Sequence, residues 1–129
     1  MSKTNNNHPT NSIRILIADD NRIVVMVIQR MLAEYAHVTV DKAVNGQEAL
    51  TILENNQYDI LITDYQMPLL NGPELANKAR QLQPELYIVL MSGYPPKRLE
   101  SLLDTGTIDD YLPKPPSQDD LSRMLQNIT

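Results

Sequence analysis

The chain has 129 residues, 42% of them hydrophobic and 21% charged, which suits one folded domain with its own core and leaves no room for a second. The formal charge is −5 and no basic cluster exceeds Lys97-Arg98, so direct nucleic-acid binding by this segment is not expected. The absence of cysteine excludes disulfides and thiolate metal sites. The sequence also has no signal sequence and no membrane-spanning run. Together with the lack of cysteine, this predicts a cytoplasmic protein that does not enter membranes.

The first twelve residues, MSKTNNNHPTNS, are polar and predict a flexible tail over residues 1–12, followed by one folded domain over residues 13–129. His8 has no partner ligands in the tail, so it is interpreted as solvated rather than metal-binding.

Beyond the tail, short apolar runs alternate with segments of helical period. Strands are predicted over residues 13–18, 38–43, 59–63, 87–91 and 110–112. This alternation favours βαβ units and therefore an α/β fold with a parallel sheet covered on both faces.

The first helix is predicted to begin near Arg22. On a helical wheel, one arc is predicted to face the sheet, and it carries Val24, Val27, Ile28, Met31 and Tyr35. Met26 lies nearly opposite that arc and Ile23 lies to one side, so both are predicted to be exposed.

Later helices carry start and stop signals. Asn45 with Glu48 resembles a capping box, Pro73 suits a first helical position, and Gly106 suits the end of the fourth helix. Ser117 with Asp120 opens the last helix, whose apolar stripe comprises Leu121, Met124, Leu125 and Ile128.

Polar residues stand at the carboxyl ends of four predicted strands. They are Asp19, Asp20, Asp64, Ser92 and Lys114. A doubly wound parallel sheet brings such strand ends to one edge, where ligands bind. Carboxylates held together repel each other unless a cation or a proton intervenes, and oxygen ligands without His or Cys favour Mg²⁺. An alternative role for Asp20 is to cap the first helix.

The segment DYQMPLLNG, residues 64–72, resembles the D-x-x-M-P-x-x-N/D-G signature that follows the third strand of response-regulator receiver domains. Asp20 lies 44 residues before Asp64, and Ser92 and Lys114 lie 28 and 50 residues after it, which matches the layout of that family. The resemblance covers Ile13 to Ile128. It implies a doubly wound, flavodoxin-like sheet of five parallel strands in the order 2-1-3-4-5.

The resemblance also implies a reaction at this edge of the sheet. Asp64 is the expected phosphoacceptor, and Asp19, Asp20 and Asp64 are expected to hold Mg²⁺ together with the backbone carbonyl of Gln66. The expected phosphodonor is a sensor histidine kinase or a histidine phosphotransfer protein. Such a domain phosphorylates and dephosphorylates itself and is not a turnover enzyme.

Three further residues have implied roles. Ser92 resembles the switch hydroxyl, Lys114 the residue that contacts the phosphoryl group, and Tyr111 the aromatic switch. The simpler alternatives are an ordinary Ser-Gly turn for Ser92 and a buried core position for Tyr111. The family commonly holds the bond after the lysine cis, so a cis Lys114-Pro115 bond is expected.

Neighbouring positions are expected to tune the site. In the family, the positions of Gln66 and Tyr94 affect hydrolysis of the acyl phosphate, and a bulky Tyr94 is expected to slow it. Ile23 and Met26 are expected to dock the helices of the phosphodonor, although single exposed apolar residues are also ordinary on protein surfaces. Output is expected through the fourth helix, fifth strand and fifth helix, a surface that also suits a phosphorylation-dependent dimer.

Two other classes compete with this interpretation. A phosphohydrolase of the haloacid dehalogenase type also uses Mg²⁺ and a nucleophilic aspartate, but it needs D-x-D after the first strand, whereas Gln66 occupies the second position after Asp64. A receiver-like scaffold without phosphorylation would fail to bind Mg²⁺. A flavodoxin-like nucleotide binder is disfavoured because no glycine-rich loop follows the first strand.

Overall fold

The structure is a computed structural model that describes residues 12–128. The predicted tail, including His8, lies outside the described residues except for Ser12. None of the helices in residues 12–128 combines the length and the apolar character that crossing a membrane requires.

Five strands alternate with five helices along the chain. They are β1 (Ile13–Ala18), α1 (Arg22–Leu32), β2 (Val38–Ala43), α2 (Gly46–Asn55), β3 (Ile60–Asp64), α3 (Gly72–Leu82), β4 (Tyr87–Ser92), α4 (Leu99–Asp104), β5 (Asp110–Pro113) and α5 (Gln118–Ile128). The strands form one sheet in the order β2-β1-β3-β4-β5, and every pair is parallel. The predicted α/β class and strand order are confirmed.

The sheet is covered on both faces because successive side chains of a strand point to opposite sides. In β1, the side chains of Ile13, Ile15 and Ile17 join the core beneath α1 and α5. Leu16 and Ala18 join the second core, beneath α2, α3 and α4. β1 and β3 are interior strands of the sheet, and helices cover them on both faces. The residues that follow these two strands are therefore attached to a rigid part of the fold.

The prediction of which side chains of α1 face the sheet is partly wrong. The residues that α1 buries are Val25, Ile28 and Leu32, whereas Val27 is 41% exposed. Apolar residues occur on every side of this helix, so their periodicity alone does not determine which stripe meets the sheet. Ile23 and Met26 are exposed, as predicted.

The helix starts differ in detail from the capping predictions. Asn21, not Asp20, caps α1, accepting the N–H groups of Ile23 and Val24 at 3.0 and 3.2 Å. Asp20 therefore does not have the capping role considered for it.

At α2, the Asn45 side chain accepts the Glu48 N–H at 2.7 Å, as a capping box requires. The Glu48 carboxylate, however, accepts the N–H of Val44 rather than that of Asn45, at 2.7 Å. The box prediction is therefore correct in one of its two bonds, because the Glu48 carboxylate pairs with the N–H one residue earlier in the chain.

The predictions for the last two helices are confirmed. Gly106 follows α4 with a φ of 77°, a conformation that favours glycine. Ser117 and Asp120 exchange side-chain to backbone hydrogen bonds of 2.9 and 3.0 Å at the start of α5.

Candidate functional site

Three carboxylates meet at the carboxyl edge of the sheet. Asp64 is the last residue of β3, and Asp19 and Asp20 follow β1 directly. Because Ala18 pairs with Thr63 in adjacent parallel strands, the chain brings Asp19 beside Asp64. One oxygen from each of the three carboxylates lies within 4.8 Å of the others, close enough for one metal ion.

The burial of the three carboxylates differs. Asp19 is 1% exposed and Asp64 is 7% exposed, whereas Asp20 is open to solvent. Oδ1 of Asp19 accepts the N–H of Asn21 at 2.9 Å, but its buried Oδ2 accepts no hydrogen bond within residues 12–128. This buried oxygen has only the ion pair with the Lys114 ammonium, at 3.2 Å, and it belongs to a set of ligands made of oxygen atoms alone. Such a set fits a hard divalent cation such as Mg²⁺.

Lys114 bridges the two buried carboxylates. Its Nζ lies 3.0 Å from Oδ2 of Asp64 and 3.2 Å from Oδ2 of Asp19. The residue follows β5, its backbone N–H donates to the Ser92 carbonyl at 3.0 Å, and its bond to Pro115 is cis, as predicted. The backbone hydrogen bond to β4 and the attachment to β5 therefore fix the position of the Lys114 backbone, from which the side chain extends.

The surroundings of Asp64 and Lys114 shift both pKa values upward. Burial raises the pKa of Asp64, and the Asp19 charge adds to this effect, while Lys114 and the Tyr65 N–H act against it. Burial by itself lowers the pKa of Lys114, but the carboxylates of Asp64 and Asp19 outweigh that effect and raise it. Lys114 therefore remains a cation between two acids.

Ser92 and Tyr111 lie on the far side of Asp64, on β4 and β5. The Ser92 hydroxyl donates a hydrogen bond to the carbonyl of Tyr94 in the β4–α4 loop. The Tyr111 hydroxyl donates to the Ser92 carbonyl at 2.9 Å and lies 3.4 Å from the Ser92 hydroxyl oxygen. The two predicted switch residues are thus in contact, and the Ser92 hydroxyl has a loop carbonyl as its partner.

Two open depressions flank the carboxylates. The first lies over Asp64, and Gln66, Ser92, Tyr94 and Lys114 are among its lining residues. Gln66 and Tyr94 are both exposed there.

The second depression is a groove between α1 and the end of β2. Its lining includes Asp19, Ile23, Met26, Lys42 and Val44. The structure thus places both predicted docking residues next to the acidic site and adds Val44 and Lys42, which the sequence reasoning missed. No periodicity marks the loop residue Val44, so only the fold reveals its position.

Close backbone packing at the start of α3 is a second feature that was missed. A Cβ atom on Gly72 would lie 2.3 Å from the carbonyl oxygen of Asp64, so only glycine fits there. Asn71 and Glu74 form a full capping box at this helix. The Asn-x-x-Glu pattern was visible in the sequence and would have revealed this cap.

The family of response regulator receiver domains matches residues 15–126 of this chain. The chain is 35% identical over 116 residues to protein-glutamate methylesterase/protein-glutamine glutaminase 1 of Paramagnetospirillum magneticum, covering 88% of this chain and 30% of the relative. It is 36% identical over 105 residues to response regulator MprA of a Mycobacterium species, covering 80% of this chain and 44% of the relative.

Solved structures agree with these matches. The signal receiver domain of an HD domain-containing protein from Pseudomonas fluorescens superposes with a TM-score of 0.83 at 25% identity, covering 94% of this chain and 89% of the other. A CheY-like receiver domain protein from Methanospirillum hungatei gives a TM-score of 0.81 at 27% identity, covering 90% and 92%.

The chain spans less than half the length of these two curated relatives, 30% and 44%. The matched region coincides with the sheet, its helices and the acidic edge, and it favours the receiver interpretation over the phosphohydrolase alternative. The chain therefore belongs to the response regulator receiver domain family and is a receiver domain of two-component signalling.

Proposed function

We propose that Asp64 accepts a phosphoryl group from a phosphohistidine of a sensor histidine kinase or a histidine phosphotransfer protein. The observation that carries this proposal is that the Asp64 carboxylate lies in one cluster with the carboxylates of Asp19 and Asp20 and forms an ion pair with the Lys114 ammonium. A carboxylate in this setting has a candidate cation site beside it and a positive charge in contact with it. Both suit the charge of an incoming phosphoryl group.

Each group of site residues would have its own role in phosphoryl transfer. Asp19, Asp20 and Asp64, with the backbone carbonyl of Gln66, would hold Mg²⁺, which when bound neutralises charge on the phosphoryl oxygens. An oxygen of Asp64 attacks phosphorus, the phosphorus–nitrogen bond breaks, and its electron pair leaves with the imidazole. Lys114 then exchanges its contact with the free carboxylate for one with the phosphoryl oxygens.

The signal begins at Ser92. Its hydroxyl now donates to the Tyr94 carbonyl, and we propose that it turns to donate to a phosphoryl oxygen once Asp64 is modified. That change removes a hydrogen bond from the β4–α4 loop and alters the contact with Tyr111. The altered packing would be transmitted to the surface of α4, β5 and α5, where an output partner or a second copy would bind.

The assignment of Asp64 is tested by labelling with acetyl phosphate in the presence of Mg²⁺. Asp64→Asn should abolish incorporation, because the amide has no anionic oxygen for attack. Asp104→Asn, an exposed substitution at the end of α4, is the matched control and should label like the wild type. Undiminished labelling of Asp64→Asn would overturn the assignment, and a wild type that neither labels nor binds Mg²⁺ would favour the scaffold alternative.

We further propose that Ile23 and Met26 dock the phosphodonor. Both are exposed, and both line the groove that leads to Asp19. Ile23→Glu and Met26→Glu should slow phosphotransfer from the partner and leave acetyl phosphate labelling intact.

Val27 offers a matched control for this docking test. It is an exposed apolar residue of the same helix, yet it is not among the residues that line the groove. Val27→Glu should transfer at the wild-type rate. Equal loss in all three variants would contradict docking in the groove, and loss of acetyl phosphate labelling would indicate misfolding.

In the proposed reaction the domain modifies only itself and does not turn over a separate substrate. The acyl phosphate forms on the chain itself and is hydrolysed there, so each phosphoryl group consumes one phosphodonor and releases phosphate without a separate substrate. Activities of the longer relatives would reside in chain segments beyond the matched region.

A further inference from the structure

The first residue of α2 lies against the loop that follows the phosphoacceptor. A Cβ atom built on Gly46 would lie 2.2 Å from the carbonyl oxygen of Leu70 and 2.7 Å from its Cβ. Atoms in real proteins do not approach so closely, and the nearer obstacle is backbone, which cannot swing aside. Gly46 therefore permits a contact that any other residue would prevent.

The backbone next to this contact is strained. Leu69 has a φ of 74°, and the N–H of Leu70 donates to the Pro68 carbonyl at 2.8 Å, which describes a γ-turn of the rare type with positive φ. Leu69 is 78% exposed, so packing of its own side chain does not hold the turn. The constraint must come from the residues on either side of it.

Those residues are held at two places. Before α3 begins, Leu70 packs directly against Gly46 of α2. At the start of α3, the Gly72 N–H donates to the Tyr65 carbonyl at 2.9 Å, which returns the chain to the residue after Asp64. The intervening loop is short, so its course past Gln66 depends on both contacts.

We propose that Gly46 is a positioning residue for the metal site. By leaving room for Leu70, it supports the strained loop that carries Gln66, whose carbonyl is the proposed metal ligand. The inference rests on the proposed role of that carbonyl and assigns control of it to a residue on a different helix. Gly46 itself touches neither the metal nor the phosphoryl group.

The test compares Gly46→Ala with Leu53→Ala, a buried substitution of the same helix that leaves a cavity in the core instead of pushing on the loop. Mg²⁺ affinity is measured by calorimetry on each folded protein, and amide chemical shifts of residues 65–71 are recorded without metal. Gly46→Ala should bind Mg²⁺ about tenfold more weakly, as expected when support of a ligand is lost. It should also shift those amides, whereas Leu53→Ala should do neither.

Leu70→Gly provides a second route if Gly46→Ala does not fold. It removes the side-chain contact without overpacking, and it should also weaken Mg²⁺ binding. Wild-type affinity in Gly46→Ala or in Leu70→Gly, or equal weakening in Leu53→Ala, would overturn the positioning role. A wild-type protein that binds no Mg²⁺ would instead overturn the proposed function, so the two failures are distinguishable.

Discussion

The Nζ atom of Lys114 lies 3.0 Å from Oδ2 of Asp64, across strands that are not adjacent in the sheet. The same nitrogen approaches Oδ2 of Asp19 at 3.2 Å. One ammonium thus pairs with both buried carboxylates of the site and offsets the charge of one of them. It competes with a divalent cation for the same oxygens, and it is already in place to meet a phosphoryl group.

Replacing Lys114 should separate these effects. Lys114→Met keeps most of the apolar stem but leaves two buried carboxylates unpaired, so the metal-free protein should lose about 1–2 kcal/mol of stability, discounted for partial exposure of the lysine. Mg²⁺ should bind more tightly than in the wild type and restore part of that loss. Urea denaturation with and without Mg²⁺ measures both quantities, and a variant whose Mg²⁺ affinity is weaker would contradict the competition.

Ionisation of Asp64 should lower the free energy of unfolding. Its folded pKa is raised above its usual 3.8, so its favourable contribution is present below that value and is lost as the pH rises through the folded pKa. Asp64→Asn should therefore be more stable than the wild type near neutral pH, by about 1 kcal/mol. The gain should shrink as the pH falls toward about 4.

Urea denaturation across this range without Mg²⁺ measures the effect at Asp64. Asp104→Asn, on the exposed end of α4, serves as the control and should show no such pH-dependent gain. Equal stability of Asp64→Asn and the wild type at every pH would be inconsistent with a destabilising buried carboxylate.

The contact between Tyr111 and Ser92 should matter for the switch more than for stability. Tyr111→Phe removes the hydroxyl that donates to the Ser92 carbonyl, but that carbonyl keeps the Lys114 N–H, so the loss should not exceed about 1 kcal/mol. Acetyl phosphate labelling should persist. Amide shifts of residues 93–98 on phosphorylation should be smaller than in the wild type, and unchanged shifts would remove Tyr111 from the switch.

Tyr94 is expected to protect the acyl phosphate. It is 87% exposed and lines the depression over Asp64, where its ring can restrict the approach of water. Tyr94→Ala should shorten the phosphorylated lifetime severalfold, whereas Tyr94→Phe, which keeps the ring, should not. The lifetime is measured as loss of label after the donor is removed, and an unchanged lifetime in Tyr94→Ala would reject the idea.

Tyr58 should titrate late, far from the acidic site. Burial raises its pKa from 10.0 to about 12, helped by the hydrogen bond of 2.6 Å that it donates to Asp41. The folded state therefore keeps a proton that the unfolded state loses, and stability should fall as the pH rises from about 10 to 12, by on the order of 2 kcal/mol.

Absorbance of tyrosinate in the folded protein should include one late titration that belongs to Tyr58, apart from that of Tyr87, whose pKa burial also raises. Tyr58→Phe should lose both that late titration and the corresponding slope of stability against pH. A Tyr58→Phe protein with an unchanged alkaline slope would assign the effect to another group.

The sequence was most informative where short-range patterns coincide with topology. Apolar runs of strand length, separated by helical segments, allow little besides a parallel sheet, and such a sheet brings the ends of β1 and β3 together wherever its helices lie. For that reason Asp19, Asp20 and Asp64 were predictable as a group. The periodicity of α1 was less informative, since apolar residues surround that helix and Val25 was missed.

The fold class and the set of acidic, hydroxyl and ammonium groups were thus determined by the sequence, because strand ends and local motifs encode them, and the strand order followed from the resemblance to receiver domains. Tertiary structure alone decided that Lys114 pairs with Oδ2 of both Asp19 and Asp64, that Ser92 donates to the Tyr94 carbonyl, and that Gly46 packs against Leu70 in the loop after Asp64. These relationships join residues far apart in the chain. Their distances depend on how whole elements pack, which no local pattern of residues records.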